Sequence, residues 1–206
     1  MKIEKTLGRS LRIIYLGGYG WSGTTLIERL LSLSPQILAA GELHHLEMDL
    51  RKIEICSCGQ KCDVCVIWKL YDRFCVDKTI TIDKLVDHFQ KNTNYRALTD
   101  NSKTTAATVF RPLRYRRQSI FFIHVIRKGL DCLQSNLKRR TQEGLITAFK
   151  SGLQFVLAHF AAILYRRYFG RENYQLIYLD ITSHQYQDLN LALQKMNIEI
   201  SPLKSP

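Results

Sequence analysis

The segment spanning residues 11–31 constrains the fold more than any other. Leu11-Arg12-Ile13-Ile14-Tyr15-Leu16 is rich in β-branched and aromatic residues and reads as a strand. It runs into Gly17-Gly18-Tyr19-Gly20-Trp21-Ser22-Gly23-Thr24-Thr25, after which Leu26, Ile27, Leu30 and Leu31 recur at helical spacing. Strand, glycine-rich loop and helix in that order leave backbone N–H groups and the positive end of a helix dipole at the loop, a setting that favours an anion. Glycines let the chain curl close to phosphate oxygens, and Ser22, Thr24 and Thr25 add hydroxyl donors.

The rest of the chain repeats the alternation. Short apolar strands are expected at Ile37-Leu38-Ala39-Ala40, Ala97-Leu98-Thr99, Ile120 to Ile126 and Leu176 to Leu179. Helices are expected near 66–74, from Ile82 to Gln90 with Thr81 as N-cap, from Leu130 to Arg139, from Thr147 to Phe169 and from Gln185 to Met196. Ile120 to Ile126 is nearly continuous apolar sequence, which suits a central parallel strand covered on both faces. The expectation is one three-layer α/β domain over 1–206, with a mainly parallel central sheet, a P-loop-like phosphate-binding loop and a Cys-rich, helical insertion around 52–95. Ligands of such sheets sit at the carboxyl ends of the strands.

Charge narrows the partners. The 30 Lys and Arg residues against 18 Asp and Glu give a formal net charge of +12, which suits a nucleotide, a nucleic acid or an acidic surface. The apolar run from Leu11 to Leu16 is shorter than a signal-peptide core. The stretch Phe155 to Tyr165, broken by His159, falls short of the roughly 20 residues that span a bilayer. A soluble, cytoplasmic protein without a transmembrane segment is the expectation.

Against the P-loop pattern, Gly18 and Gly23 have the right separation, but Thr24 stands at the lysine position and Thr25 at the following Ser/Thr position. An ATPase reading therefore loses its key cation. Ser22-Gly23-Thr24-Thr25 instead resembles the first loop of the sulfotransferases that use 3′-phosphoadenosine 5′-phosphosulfate (PAPS), which holds the 5′-phosphosulfate end of the donor. The resemblance implies donor contacts along Gly20, Trp21, Ser22, Gly23, Thr24 and Thr25. The family commonly has Lys or Arg where this chain has Trp21, and that cation is credited with stabilising the transferring group.

Two further segments carry the resemblance. Arg127 and Ser135, eight residues apart in Arg127-Lys128-Gly129-Leu130-Asp131-Cys132-Leu133-Gln134-Ser135, resemble the family's Arg-x-x-x-Asp-x-x-x-Ser signature, whose Arg and Ser grip the 3′-phosphate. A guanidinium can fork onto phosphate there and a helix serine can add a donor. Asp100-Asn101-Ser102-Lys103 is similar to the Asp-x-Ser-Lys stretch of bacterial-type members. Lys103 is then the leading substitute for the missing cation, with a surface lysine beside a capping Ser102 as the plainer reading. Tyr178-Leu179-Asp180-Ile181 extends the match, which covers roughly Arg12 to Ile181.

A base must take the acceptor's proton. In Gly41-Glu42-Leu43-His44-His45 the resemblance favours Glu42 as base or acceptor ligand, with His44 and His45 as rivals; a helix-capping Glu42 beside partly exposed histidines is the plainer reading. Cys56-x-Cys58-x-x-x-Cys62-x-x-Cys65 offers four thiolates to a structural zinc, or a disulfide clasp, beside the acceptor cleft.

The resemblance implies a donor nucleotide, PAPS, and an acceptor hydroxyl or amine that the sequence leaves open among carbohydrate, lipid, small molecule and protein tyrosine. Rival readings are a catalytically impaired nucleotide binder, which Trp21 favours, a kinase-like P-loop protein, and a nucleic-acid binder suggested by Arg111, Arg114, Arg116, Arg117 and Lys138-Arg139-Arg140. An arginine-rich face of this kind is more often simply solvated.

Overall fold

The computed structural model describes residues 11–44, 61, 63–65, 69, 82–103, 109–115, 119–132, 134, 145–179 and 184–198. Five strands, β1 (Arg12–Gly17), β2 (Ile37–Leu38), β3 (Ala97–Asp100), β4 (Ser119–Ile126) and β5 (Tyr174–Tyr178), form one sheet in the order β2-β3-β1-β4-β5. Every pairing is parallel, as the apolar run of β4 anticipated.

Because side chains alternate across a strand, each strand feeds two cores. Ile13, Tyr15, Leu98, Ile120 and Phe122 point to one face, where they meet Val86 and Phe89 of α2 (Ile82–Asn92) and Ala161, Ala162 and Tyr165 of α3 (Leu145–Phe169). Ile14, Leu16, Phe121, Ile123 and Val125 point to the other, against Ile27 and Leu31 of α1 (Thr24–Leu31) and Leu189, Ala192 and Leu193 of α4 (His184–Lys195). The three-layer α/β architecture follows from that alternation. On the α3 face a row of rings crosses the sheet: Tyr15 stacks on Phe122 at 5.4 Å, and Phe122 on Tyr174 at 5.8 Å.

β2 is shorter than the sequence suggests. Beyond Leu38 the chain stops pairing along a ladder: the Ala40 N–H donates to Thr99 Oγ1 (3.0 Å), and the Gly41 carbonyl accepts from the Asn101 N–H (2.8 Å). Side-chain and loop bonds there replace strand bonds. The expected helix over 66–74 and the N-cap at Thr81 lie outside the described residues, and of the expected helix from Leu130 to Arg139 only its first turn, 129–132, and residue 134 lie within them.

The chain leaves β1 for β2 on one side and reaches β4 and β5 on the other, so the order reverses at β1. A crevice opens at the carboxyl edge of the sheet where such a reversal occurs.

Candidate functional site

Four strand ends converge on that crevice: Gly17 into the glycine loop, Leu38 into Gly41-Glu42, Asp100 into Asn101-Ser102-Lys103, and Ile126 into Arg127.

The loop 17–25 is shaped by close approach. A Cβ on Gly18 would lie 2.5 Å from Ser22 Oγ and 2.9 Å from the Val125 carbonyl, and one on Gly23 would collide with Leu179. Gly23 also has φ 91°, in the left-handed region that glycine tolerates. Trp21 has φ 71°, which is uncommon for so bulky a residue. The Tyr19 carbonyl accepts from the Ser22 N–H (3.0 Å) and closes the turn. Ser22 is fully buried and its Oγ has no hydrogen-bond partner among the described residues. Burying a hydroxyl without a partner is costly, so this oxygen is suited to a polar ligand group at the loop.

Across from the loop, Lys103 Nζ lies 5.8 Å from the centroid of the Trp21 ring and 3.2 Å from Glu42 Oε1. His44 Nε2 lies 3.6 Å from Glu42 Oε2, and His44 Nδ1 lies 3.1 Å from Ser102 Oγ. The three sequence candidates for catalysis, Glu42, Lys103 and His44, thus meet in one cluster beside the phosphate loop.

The sequence did not expose what holds this cluster. Asp100 is completely buried and accepts five hydrogen bonds. Oδ1 takes them from the Leu43 N–H (3.2 Å), the Ser102 N–H (2.9 Å) and Ser102 Oγ (2.5 Å); Oδ2 takes them from Arg111 Nε (2.7 Å) and Tyr115 Oη (2.6 Å). Burial, and then the Asp100 charge, push the Tyr115 hydroxyl well above its ordinary pKa, so it stays a donor. Arg111, grouped by sequence with a basic face for nucleic acid, is instead buried and pairs with Asp100 at 2.7 Å. That removes it from any solvent-facing patch.

Glu28 is the second hidden acid. Its carboxylate accepts from the Gly41 N–H (2.8 Å), Thr99 Oγ1 (2.5 Å) and Asn101 Nδ2 (3.0 Å), and Asn101 Nδ2 also reaches Thr25 Oγ1 (3.4 Å). Burial raises its pKa; the three donors oppose the rise and Asp100 adds to it. Glu28 therefore joins the end of β3 to the turn after β2, and Asn101 carries the link on to Thr25 of the glycine loop. A signal for it exists in the sequence, since Thr24, Ile27, Glu28 and Leu31 fall at i, i+3, i+4 and i+7 on the buried face of α1.

At the other end of the crevice, Arg127 Nε lies 3.9 Å from Asp131 Oδ2, and Cys132 Sγ lies 3.7 Å from the Trp21 carbonyl, which tethers the first helical turn after β4 to the loop. Ser135, His45, Cys56, Cys58 and Cys62 lie outside the described residues; Cys65 is buried in the core on the α3 face. Among the described residues no cluster of His, Cys, Asp or Glu could hold a metal ion.

The class these features define is an α/β fold with a phosphate-loop-like turn at its switch point. Among solved structures, that fold is the one found in sulfotransferase domains. The chain matches the sulfotransferase domain of the Synechococcus PCC 7002 olefin synthase with a TM-score of 0.71 at 15% identity, covering 100% of this chain and 82% of that one. It matches the sulfotransferase domain of the curacin biosynthetic pathway at 0.70 and 15% identity, over 97% and 80% of the two chains. A sulfotransferase from Alicyclobacillus acidocaldarius matches at 0.52 and 18% identity, over 94% and 83%. No family model and no curated protein matches the sequence.

Proposed function

We propose that the protein transfers a sulfuryl group from PAPS to a hydroxyl or amine acceptor. The observation that carries the reading is the meeting of Lys103 and Glu42, 3.2 Å apart, beside a phosphate-type loop that buries a serine hydroxyl with no partner among the described residues. The fold shared with sulfotransferase domains supports it.

The loop residues Gly20, Trp21, Ser22, Gly23, Thr24 and Thr25 would hold the 5′-phosphosulfate end, and Arg127 with Ser135 the 3′-phosphate. PAPS supplies an activated sulfuryl group whose departure leaves an electron pair on the 5′-phosphate. Glu42 takes the acceptor's proton as the acceptor oxygen or nitrogen forms its bond to sulfur and the bond between sulfur and the phosphate oxygen breaks. Lys103 offsets the negative charge that develops on that oxygen, the role Trp21 cannot fill. His44, between Glu42 and Ser102, orients the base. No metal is needed by these groups, and the lysine absent from the loop matters less for a sulfuryl group, which carries less charge than a γ-phosphoryl group.

Calorimetric titration with 3′-phosphoadenosine 5′-phosphate against magnesium ATP tests the donor site. Metal-independent binding of the former, lost in Arg127→Ala, is expected; preference for magnesium ATP, or no binding, overturns the reading. Trp21 favours a second reading, a nucleotide binder without turnover. Binding accompanied by no hydrolysis or transfer of labelled sulfate from PAPS, in wild type and in Trp21→Lys alike, would select it.

A further inference from the structure

Helix α3 is apolar on both sides. Ala158, Ala161, Ala162 and Tyr165 face inward and are buried. On the opposite side Phe149, Leu153, Val156, Phe160 and Ile163, spaced four and three residues apart, form a straight stripe in which every side chain is 51% to 74% exposed. Leu164 widens it at 47%. The stripe is about 20 Å long, and six half-exposed side chains of this size present on the order of 600 Å² of apolar surface. Patches at or above that size mark interaction sites.

The charges around the stripe select its occupant. Between Leu145 and Phe169 the ionic side chains are Lys150 near one end and Arg166 and Arg167 at the other, and the helix sequence has no Asp or Glu. A second copy would bring the same cations and no carboxylate from its own helix, in either direction of packing, between chains that each carry +12. An anionic lipid surface complements both features: acyl chains receive the stripe, and headgroup phosphates receive the exposed cations at its two ends, Lys150 and Arg167, while the Arg166 guanidinium lies 5.8 Å from the centroid of the Tyr174 ring at the side of the helix. No helix among the described residues is long and apolar enough to cross a membrane, and α3 is anchored to the sheet on its other side, so the geometry is that of a helix lying along a surface.

We propose that α3 docks the protein on anionic membranes through Phe149, Leu153, Val156, Phe160 and Ile163, with Lys150 and Arg167 on the lipid phosphates. The proposal does not depend on the reaction assigned to the crevice.

Flotation of the full chain with vesicles tests it. Binding is expected with phosphatidylcholine–phosphatidylserine vesicles, with loss on phosphatidylcholine alone and in Leu153→Glu/Phe160→Glu, whose exposed positions spare the core. Lys150→Gln/Arg167→Gln should weaken binding about 25-fold, since each basic residue near an anionic surface contributes about a factor of 5. Failure to float with the anionic vesicles, or binding unchanged in both double variants, overturns the proposal. So does a dimer, seen by light scattering without lipid, that Leu153→Glu/Phe160→Glu converts to monomer, because the stripe would then belong to a second copy.

Discussion

Trp21 holds a left-handed backbone, φ 71°, at the loop position where a cation would be expected, while Lys103 reaches to 5.8 Å of its ring from the end of another strand. If Lys103 supplies the charge, Lys103→Ala lowers the turnover of labelled sulfuryl transfer by about 100-fold, the scale of one lost oxyanion donor, while the affinity for 3′-phosphoadenosine 5′-phosphate changes little. Trp21→Lys in that background should restore part of the rate. Asp100 works at the same scale but on stability. Removing its carboxylate strands the buried Arg111 guanidinium and the Tyr115 hydroxyl, so Asp100→Ala is expected to cost about 3–5 kcal/mol in urea unfolding, and Asp100→Ala/Arg111→Met less than Asp100→Ala alone.

At the scale of elements, β4 and α3 are joined by a buried histidine pair. His124 Nε2 and His159 Nδ1 are 2.7 Å apart, and His124 Nδ1 lies 2.7 Å from the Tyr174 hydroxyl. Burial first, and then His159, lower the His124 pKa to about 3; burial lowers that of His159 as well. The unfolded chain therefore binds protons that the folded chain refuses between the ordinary histidine pKa of 6.5 and about 3. The pair's contribution is fully present above pH 6.5 and falls as the pH drops toward 3, by about 1.4 kcal/mol per pH unit for His124. Denaturation curves at several pH values should show that extra slope in wild type and lose it in His124→Asn. The strands and helices themselves were legible because their periods are strong, and β1, α1, β4 and α3 fall within a few residues of where the pattern puts them. The pair was not, because His124 sits in an apolar run and His159 interrupts another, 35 residues away, and only parallel pairing of β4 with β5 and packing of α3 bring them together.

For the molecule as a whole, the formal charge of +12 favours polyanionic ligands, so if PAPS is the donor its affinity is expected to weaken as ionic strength rises, a dependence that titrations across salt concentrations would display and an uncharged acceptor would lack. Glu42, Lys103 and His44 could be chosen from the sequence because each follows a strand, and strand ends gather at one edge of a parallel sheet. Glu28 could not be chosen that way, since its partners Gly41, Thr99 and Asn101 belong to three other segments. That arrangement limits how the molecule can be recombined. A chimera that exchanges the stretch from Gly41 to Arg96 would import a new turn onto the old carboxylate of α1, and the misfit would pass through Asn101 to Thr25. Positions 25, 28, 99 and 101 have to travel together with the exchanged segment, so the smallest unit that can be exchanged intact is larger than the segment itself.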